Sequence, residues 1–401
     1  MIDEKAYIRK FNGNRLKEAM LFRKINMTEL SEMTGIKKQS LSLYVHNSNN
    51  PTFDKVIKIS RELGFPVDYF MSEDNCDVES GTTFFRSYAS ATKKERISQK
   101  IKLEYVAKMY KVLLKYVNFP EINIPVVEDN YISYNVKNID TEEQYYKIDK
   151  LAKEIREYWD IGLEPIRNLK YLLEFNGIIV TGFDDVNNKI DAFSQKIVVE
   201  GKKTYIIALA LGDKSMQRLN FDMAHELGHI LLHSSLNDIE KLSREELVII
   251  EKQANRFASS FLLPQDTFYK SVLAYPTNID YYKVIKKKWK VSMQAMMYRA
   301  KDLKIVTENQ FQYMMRIVSK RGWRIHEPED EDGKIEDSIF QGAIDLLVEE
   351  KYFSTDELLK EFANHGIILA QNDMENIMCL RKGTLKLNTK IVPFISIKKD
   401  N

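Results

Sequence analysis

Apolar positions recur at helical spacing along most of the chain. Leu16, Ala19, Met20 and Phe22 form one stripe over residues 14–24, and Val56, Ile57, Ile59 and Leu63 form another after Pro51-Thr52-Phe53-Asp54. Between them Thr28 stands at an N-cap position ahead of Glu29-Leu30-Ser31-Glu32-Met33, and Gly35 ends that helix. A second short helix then begins at Lys37, with Leu41 and Val45 on its inward face. Two short helices around such a turn are a helix-turn-helix pattern. Residues 92–116 form a longer helix with Ile97, Ile101, Val106, Met109, Leu113 and Leu114 apolar and the lysines outward. The linker before it, Ser72 to Asp77, is polar and acidic, and Thr82 to Ser87 is a short extended segment.

From Thr141 the pattern becomes mixed. Ile148, Leu151, Ile155 and Trp159 mark one helix, and Pro165 opens a second that Asn176-Gly177 stops. Residues 178–180, 191–194 and 204–209 form three strands, and a helix dense in apolar residues follows up to His233. Further helices are expected over 243–262 and 291–303, then 339–350, 354–364 and 372–378, with Ser354-Thr355-Asp356-Glu357 as a capped start. Residues 327–337 carry seven acidic side chains and are expected to be an exposed linker. The fold class is therefore mainly α with an α+β central domain. It divides into a helix-turn-helix bundle at 12–72, a linker with a basic helix at 73–140, a central domain at 141–305 and a helical region at 306–401.

Composition narrows the setting. Cys76 and Cys379 are the two cysteines, without metal-ligand spacing, so neither a disulfide framework nor a cysteine-based metal site is expected and a reducing cytoplasm is. No apolar run approaches a membrane span. Net charge is +2, but residues 1–72 hold 12 Lys/Arg against 8 Asp/Glu, and residues 86–115 hold 9 against 2. A basic N-terminal third points to a polyanion such as double-stranded DNA. Lys37, Lys38, Gln39, Ser40, Ser42 and Tyr44 on the second short helix are the expected DNA contacts, since such side chains donate to phosphates and base edges.

The densest chemistry lies in His225-Glu226-Leu227-Gly228-His229. Histidines four apart share one helix face and can bind a single Zn2+, and the adjacent carboxylate can take a proton from an activated water. A catalytic zinc takes three protein ligands. Glu251 is the expected third, on a helix returning antiparallel, with Asn255 on the same face to support a ligand histidine and Ala254 and Ala258 allowing close approach. Asp222, Glu245, Glu246 and His233 are competing candidates. Glu245 and Glu246 suit a first helical turn, and His233 suits a capping or cationic role at a helix end. A strand beside the metal helix can hold an extended substrate by main-chain pairing.

Residues 12–72, through Leu63-Gly64-Phe65-Pro66-Val67-Asp68-Tyr69-Phe70, resemble the XRE (Cro/C1-type) helix-turn-helix family. The resemblance implies that Lys37 to Tyr44 lie in the major groove. The family's usual Gln near Met27 or Thr28 and its Glu-x-Gly at Val45-His46-Asn47 are missing here, although Asn47 can supply the left-handed cap. Residues 141–300 resemble the ImmA/IrrE metallopeptidase family. The resemblance rests on Arg218 to His229, Glu251 to Ala258, Leu262-Leu263-Pro264, Ile190 to Ser194 and Trp289 to Ser292. It implies a zincin-like peptidase domain with His225, His229 and Glu251 as zinc ligands, Glu226 as general base and a repressor protein as substrate. A second copy of the chain is a further candidate partner. The alternatives are a repressor whose metal domain senses a signal without cutting, and an antitoxin-like protein that binds a partner.

Overall fold

The structure, a computed structural model, describes residues 10–73, 76, 78–85, 92–128, 131–133, 141–183, 192–234, 236, 241–335 and 337–386. Parts of four expected features lie outside these residues: Asp74, Asn75 and Asp77 of the acidic linker, Arg86-Ser87, Ile190-Asp191, and Glu336. The chain forms two compact units. One comprises Met1–Asp77, Lys108–Val117 and Phe340–Asn401, and the other Val78–Ala107 and Asn118–Ile339. The units do not follow the order expected along the chain, because the C-terminal helices belong with the N-terminal ones.

The first unit begins with α1 (Gly13–Phe22), α2 (Met27–Thr34), α3 (Lys38–Val45) and α4 (Phe53–Leu63), followed by a 3-10 turn over Val67–Met71. Helix α2 is capped by Asn26, whose side chain accepts from Thr28 and Glu29 while Glu29 reaches back. The cap therefore lies two residues before the expected Thr28. Gly35 ends α2 in the left-handed conformation, as the turn requires. Asn47 holds φ 55° after α3, and its side chain accepts from the Gly13 amide at 2.8 Å. Gly13 must be glycine, because a Cβ there would sit 2.1 Å from the Tyr44 carbonyl oxygen. This is where α1 crosses the end of α3. Phe11, Tyr44, Phe65, Tyr69 and Phe70 join in one aromatic core.

The second unit holds β1 (Glu79–Phe85), most of α5 (Lys93–Leu113), α6 (Thr141–Tyr158), α7 (Leu169–Phe175), β2 (Ile178–Phe183), β3 (Ala192–Val199) and β4 (Lys202–Ala210). It continues with α8 (Met216–Leu232), α9 (Arg244–Leu262), α10 (Gln265–Val272), α11 (Ile279–Trp289), α12 (Met293–Asp302) and α13 (Glu308–Lys320). The helix expected from Pro165 begins later, at an Asn168 cap whose side chain accepts from Tyr171 N. The sheet has four strands in the order β1-β3-β4-β2. β3 and β4 are an antiparallel hairpin turning through Glu200-Gly201, both at positive φ, and β2 lies parallel to β4. β1 pairs antiparallel with β3.

Helix α8 packs against β3, β4 and α9, and α9 packs in turn on α6. Asp149 of α6 pins this stack by accepting from Arg256 Nε at 2.8 Å and from Arg299 at 3.5 Å. The acidic stretch is not the exposed linker its charge suggests. Glu327 is buried, bonds the fully buried Lys286 at 3.1 Å and accepts the Met293 amide at 2.7 Å. Its neighbours form a strap against the start of α8, where Met216 N donates to the Glu331 carbonyl at 2.8 Å. Carboxylates meeting buried cations are ordered by them, so net charge alone misleads here.

The first unit is completed by α14 (Ile339–Glu349), of which Phe340 onward belongs to it, and by α15 (Thr355–Asn364) and α16 (Gln371–Ile377). The Ser354–Glu357 capping box forms as expected. These helices lock onto the N-terminal bundle. Arg23 makes a two-pronged bond to Asp373, with Nη1–Oδ1 at 2.7 Å, and buried Arg15 donates to the Gly366 carbonyl at 2.9 Å.

Candidate metal centre and helix-turn-helix surface

Helix α8 places His225 and His229 one turn apart on the face toward α9. Gly228 lets the helices touch, since a Cβ there would lie 3.2 Å from both the Ala254 Cα and the Phe257 Cβ. At that separation Glu251 reaches across. Its carboxylate oxygens lie 3.3 Å from His225 Nε2 and 3.4 Å from His229 Nε2, and the two Nε2 atoms lie 3.0 Å apart. Tetrahedral ligands about 2.0–2.1 Å from an ion stand roughly 3.3 Å from one another. Two imidazoles and a carboxylate in this arrangement fit one divalent metal ion.

The protons are placed by a chain of hydrogen bonds. Gln253 Nε2 donates to the Ser133 carbonyl at 2.7 Å, which can only accept, so Gln253 Oε1 faces His233 Nε2 at 3.0 Å. His233 therefore carries its proton on Nε2, and its Nδ1 accepts from His229 Nδ1 at 3.0 Å. That leaves the lone pair of His229 on Nε2, toward the metal position. His225 reaches the same tautomer more directly, by donating from Nδ1 to Asn255 Oδ1 at 3.0 Å. Two lone pairs thus face each other at a distance where a proton or a metal belongs.

His233 is the C-cap of α8 and stands outside the three-residue cluster. It is not the cation that a helix end can favour, because complete burial pushes its pKa down to about 3. Of the other competitors, Glu245 is exposed in the first turn of α9, and two are engaged elsewhere. Asp222 pairs with Lys214 at 2.9 Å, and Glu246 closes a capping box with Ser243. Glu226, fully buried beside His225, accepts from Ser194 Oγ of β3 at 2.7 Å. Ser194, Gln253 and Gly228 are site residues for which sequence reasoning assigned no role. Only Gly228 carried a signal, as the one glycine in a helix of large apolar side chains.

On α3, Lys37 caps the helix, and Lys37, Lys38 and Gln39 are exposed while Ser40 and Ser42 are half-buried. Tyr44, expected among the DNA contacts, is instead 3% exposed and packs on Phe11. It follows Leu41 by three residues, which puts both on the inward face.

Comparison with known families agrees with this division. Residues 13–75 match the model of a helix-turn-helix domain. Residues 177–301 match the peptidase M78 model, described as an IrrE N-terminal-like domain. No curated protein matches the chain. Of the described helices, none is long and apolar enough to cross a membrane. Residues 13–75 thus match an XRE-type helix-turn-helix domain and residues 177–301 an IrrE/ImmA-like peptidase domain, the two fused in one chain.

Proposed function

We propose that the protein is a DNA-binding regulator whose second unit is a zinc-dependent endopeptidase that cuts a regulatory protein. The observation that carries the reading is the pair of Nε2 lone pairs, 3.0 Å apart and faced by Glu251, beside a buried Glu226. A zinc ion held by His225, His229 and Glu251 would supply Lewis acidity, acidifying a water and polarising a peptide carbonyl. Glu226 accepts the proton of that water and returns it to the departing amide nitrogen. Ser194 keeps the Glu226 carboxylate aimed during both transfers, because its hydroxyl occupies one oxygen. Asn255 and His233 hold the ligand rings at fixed tautomers.

A cleft of about 710 Å³ opens at Asn255 and is also lined by Arg218, Lys252 and Arg324. Asp222 and Asp302 also line it, and none of His225, Glu226, His229 and Glu251 does. On the first unit, Lys37, Lys38 and Gln39 form the exposed edge offered to duplex DNA. The test is co-expression with candidate repressors. The wild type should produce a discrete cleavage product, while Glu226→Gln should keep one zinc per chain and give none. Cleavage at the wild-type rate by Glu226→Gln would overturn the assignment.

A further inference from the structure

Strand β3 reaches the candidate metal centre, since Ser194 of β3 bonds Glu226. In the sheet of the matched domain, β3 would be an edge: β4 lies on one side, and the other side has no partner among the described residues of 177–301. That open edge is not left open. β1, residues 79–85, comes from outside the matched domain and lies along it, with Phe84 opposite Ser194 and Phe85 opposite Phe193. Pairing runs on to Glu79 opposite Val198, across an irregularity between Ser80 and Thr83. Gln195 of β3 donates to the Gly81 carbonyl at this irregularity, at 3.5 Å.

An extended peptide presented to a protease is read by main-chain pairing to such an edge, and a ladder position can hold one strand at a time. We propose that β1 is a tethered stand-in for substrate, so that a protein substrate docks on β3 only after residues 79–85 have left it. This rests on the peptidase reading for its consequence, but the occupancy itself is testable without any cleavage. The bulge weakens the ladder where β1 passes Ser80–Thr83, which makes release inexpensive. The same chain segment leads back into the unit that carries the helix-turn-helix, so events there have a covalent path to the strand.

The experiment uses full-length, zinc-loaded Glu226→Gln protein and a fluorescent synthetic peptide spanning residues 76–91. One background carries Thr83→Pro with Phe84→Pro, of which one removes an amide donor to β3. The other carries Glu79→Cys with Val198→Cys, a pair directly opposite in register that closes under oxidation. Peptide affinity should be at least tenfold higher in the proline background than in the parent, and at least tenfold lower in the oxidised cysteine variant than in the same protein reduced. Unchanged zinc content and helical circular dichroism certify the fold. Equal affinity across all four forms, or no binding to any, overturns the proposal. In the Glu226-intact protein, self-cleavage within 79–85 also overturns it, since a blocking strand must survive. Failure of the peptidase reading shows differently, as peptide binding of the predicted pattern with no cleavage of any substrate.

Discussion

At the scale of single residues, the centre depends on atoms outside the three candidate metal ligands. Gln253 is anchored by a backbone carbonyl that cannot donate, and this fixes in sequence the protons of His233 and His229. Gln253→Leu removes the acceptor that holds the His233 proton on Nε2, and frees His233 to offer that proton from Nδ1. Zinc affinity should then fall by roughly 10–100-fold, as it does when such outer partners are lost. Competition with a chromophoric chelator measures it, and an unchanged affinity would show that the relay is idle. His225 and His229 were legible from spacing alone. The relay was not, because Ser133, His233 and Gln253 are separated by up to 120 residues and meet only in the fold.

A second residue sets a pH dependence away from the metal. Burial raises the Glu174 carboxyl, against the pull of Lys170 at 2.8 Å and of the Ile339 amide. The folded chain therefore holds this proton to higher pH than the unfolded chain. Its contribution is full below the unfolded value and is lost as pH rises from there through the raised folded one. Glu174→Gln should flatten the melting-temperature profile over that window. A profile as steep as the wild type would contradict the assignment.

At the scale of elements, the site exists because two helices touch. Gly228→Ala adds a Cβ against backbone and Phe257, and neighbours must yield by a few tenths of an ångström. The strain costs about 1–3 kcal/mol, and it moves α9, which carries Glu251. We expect a lower melting temperature in calorimetry together with weaker zinc binding, whereas a purely local change would lower only the first. Helix periodicity located α9 and the C-terminal helices well, since each buries an apolar face, while α8 stood out as a helix buried nearly all round. It passed over α10 and α11, whose stripes are short and interrupted by tyrosines and lysines, and also α13, although Phe311, Met314, Met315 and Val318 form a regular stripe there. It also misread the acidic strap, because the cation that buries Glu327 lies 41 residues away.

At the scale of the molecule, the helix-turn-helix bundle is finished by helices from the other end of the chain. Ending the protein at Ser338 would remove α14 to α16 and expose Arg15 and Arg23, which those helices satisfy. Such a chain should lose the melting transition of the first unit, and with it affinity for duplex DNA, while zinc binding by the second unit persists. Retention of DNA affinity at wild-type strength would show that residues 13–75 stand alone. Nothing in the sequence pattern announced this pairing, since long-range contacts such as Arg23–Asp373 leave no local period.

That closure also orders events during synthesis. Residues 13–75 leave the ribosome long before Phe340, and the interval of 340 − 75 = 265 residues takes about 13–50 s at typical elongation rates. Throughout that time the nascent reader of DNA lacks its last wall, while the residues of the metal centre emerge and can assemble. A message cut short between α13 and α14 therefore yields a chain that holds all three candidate metal ligands but lacks the helices that finish the helix-turn-helix unit.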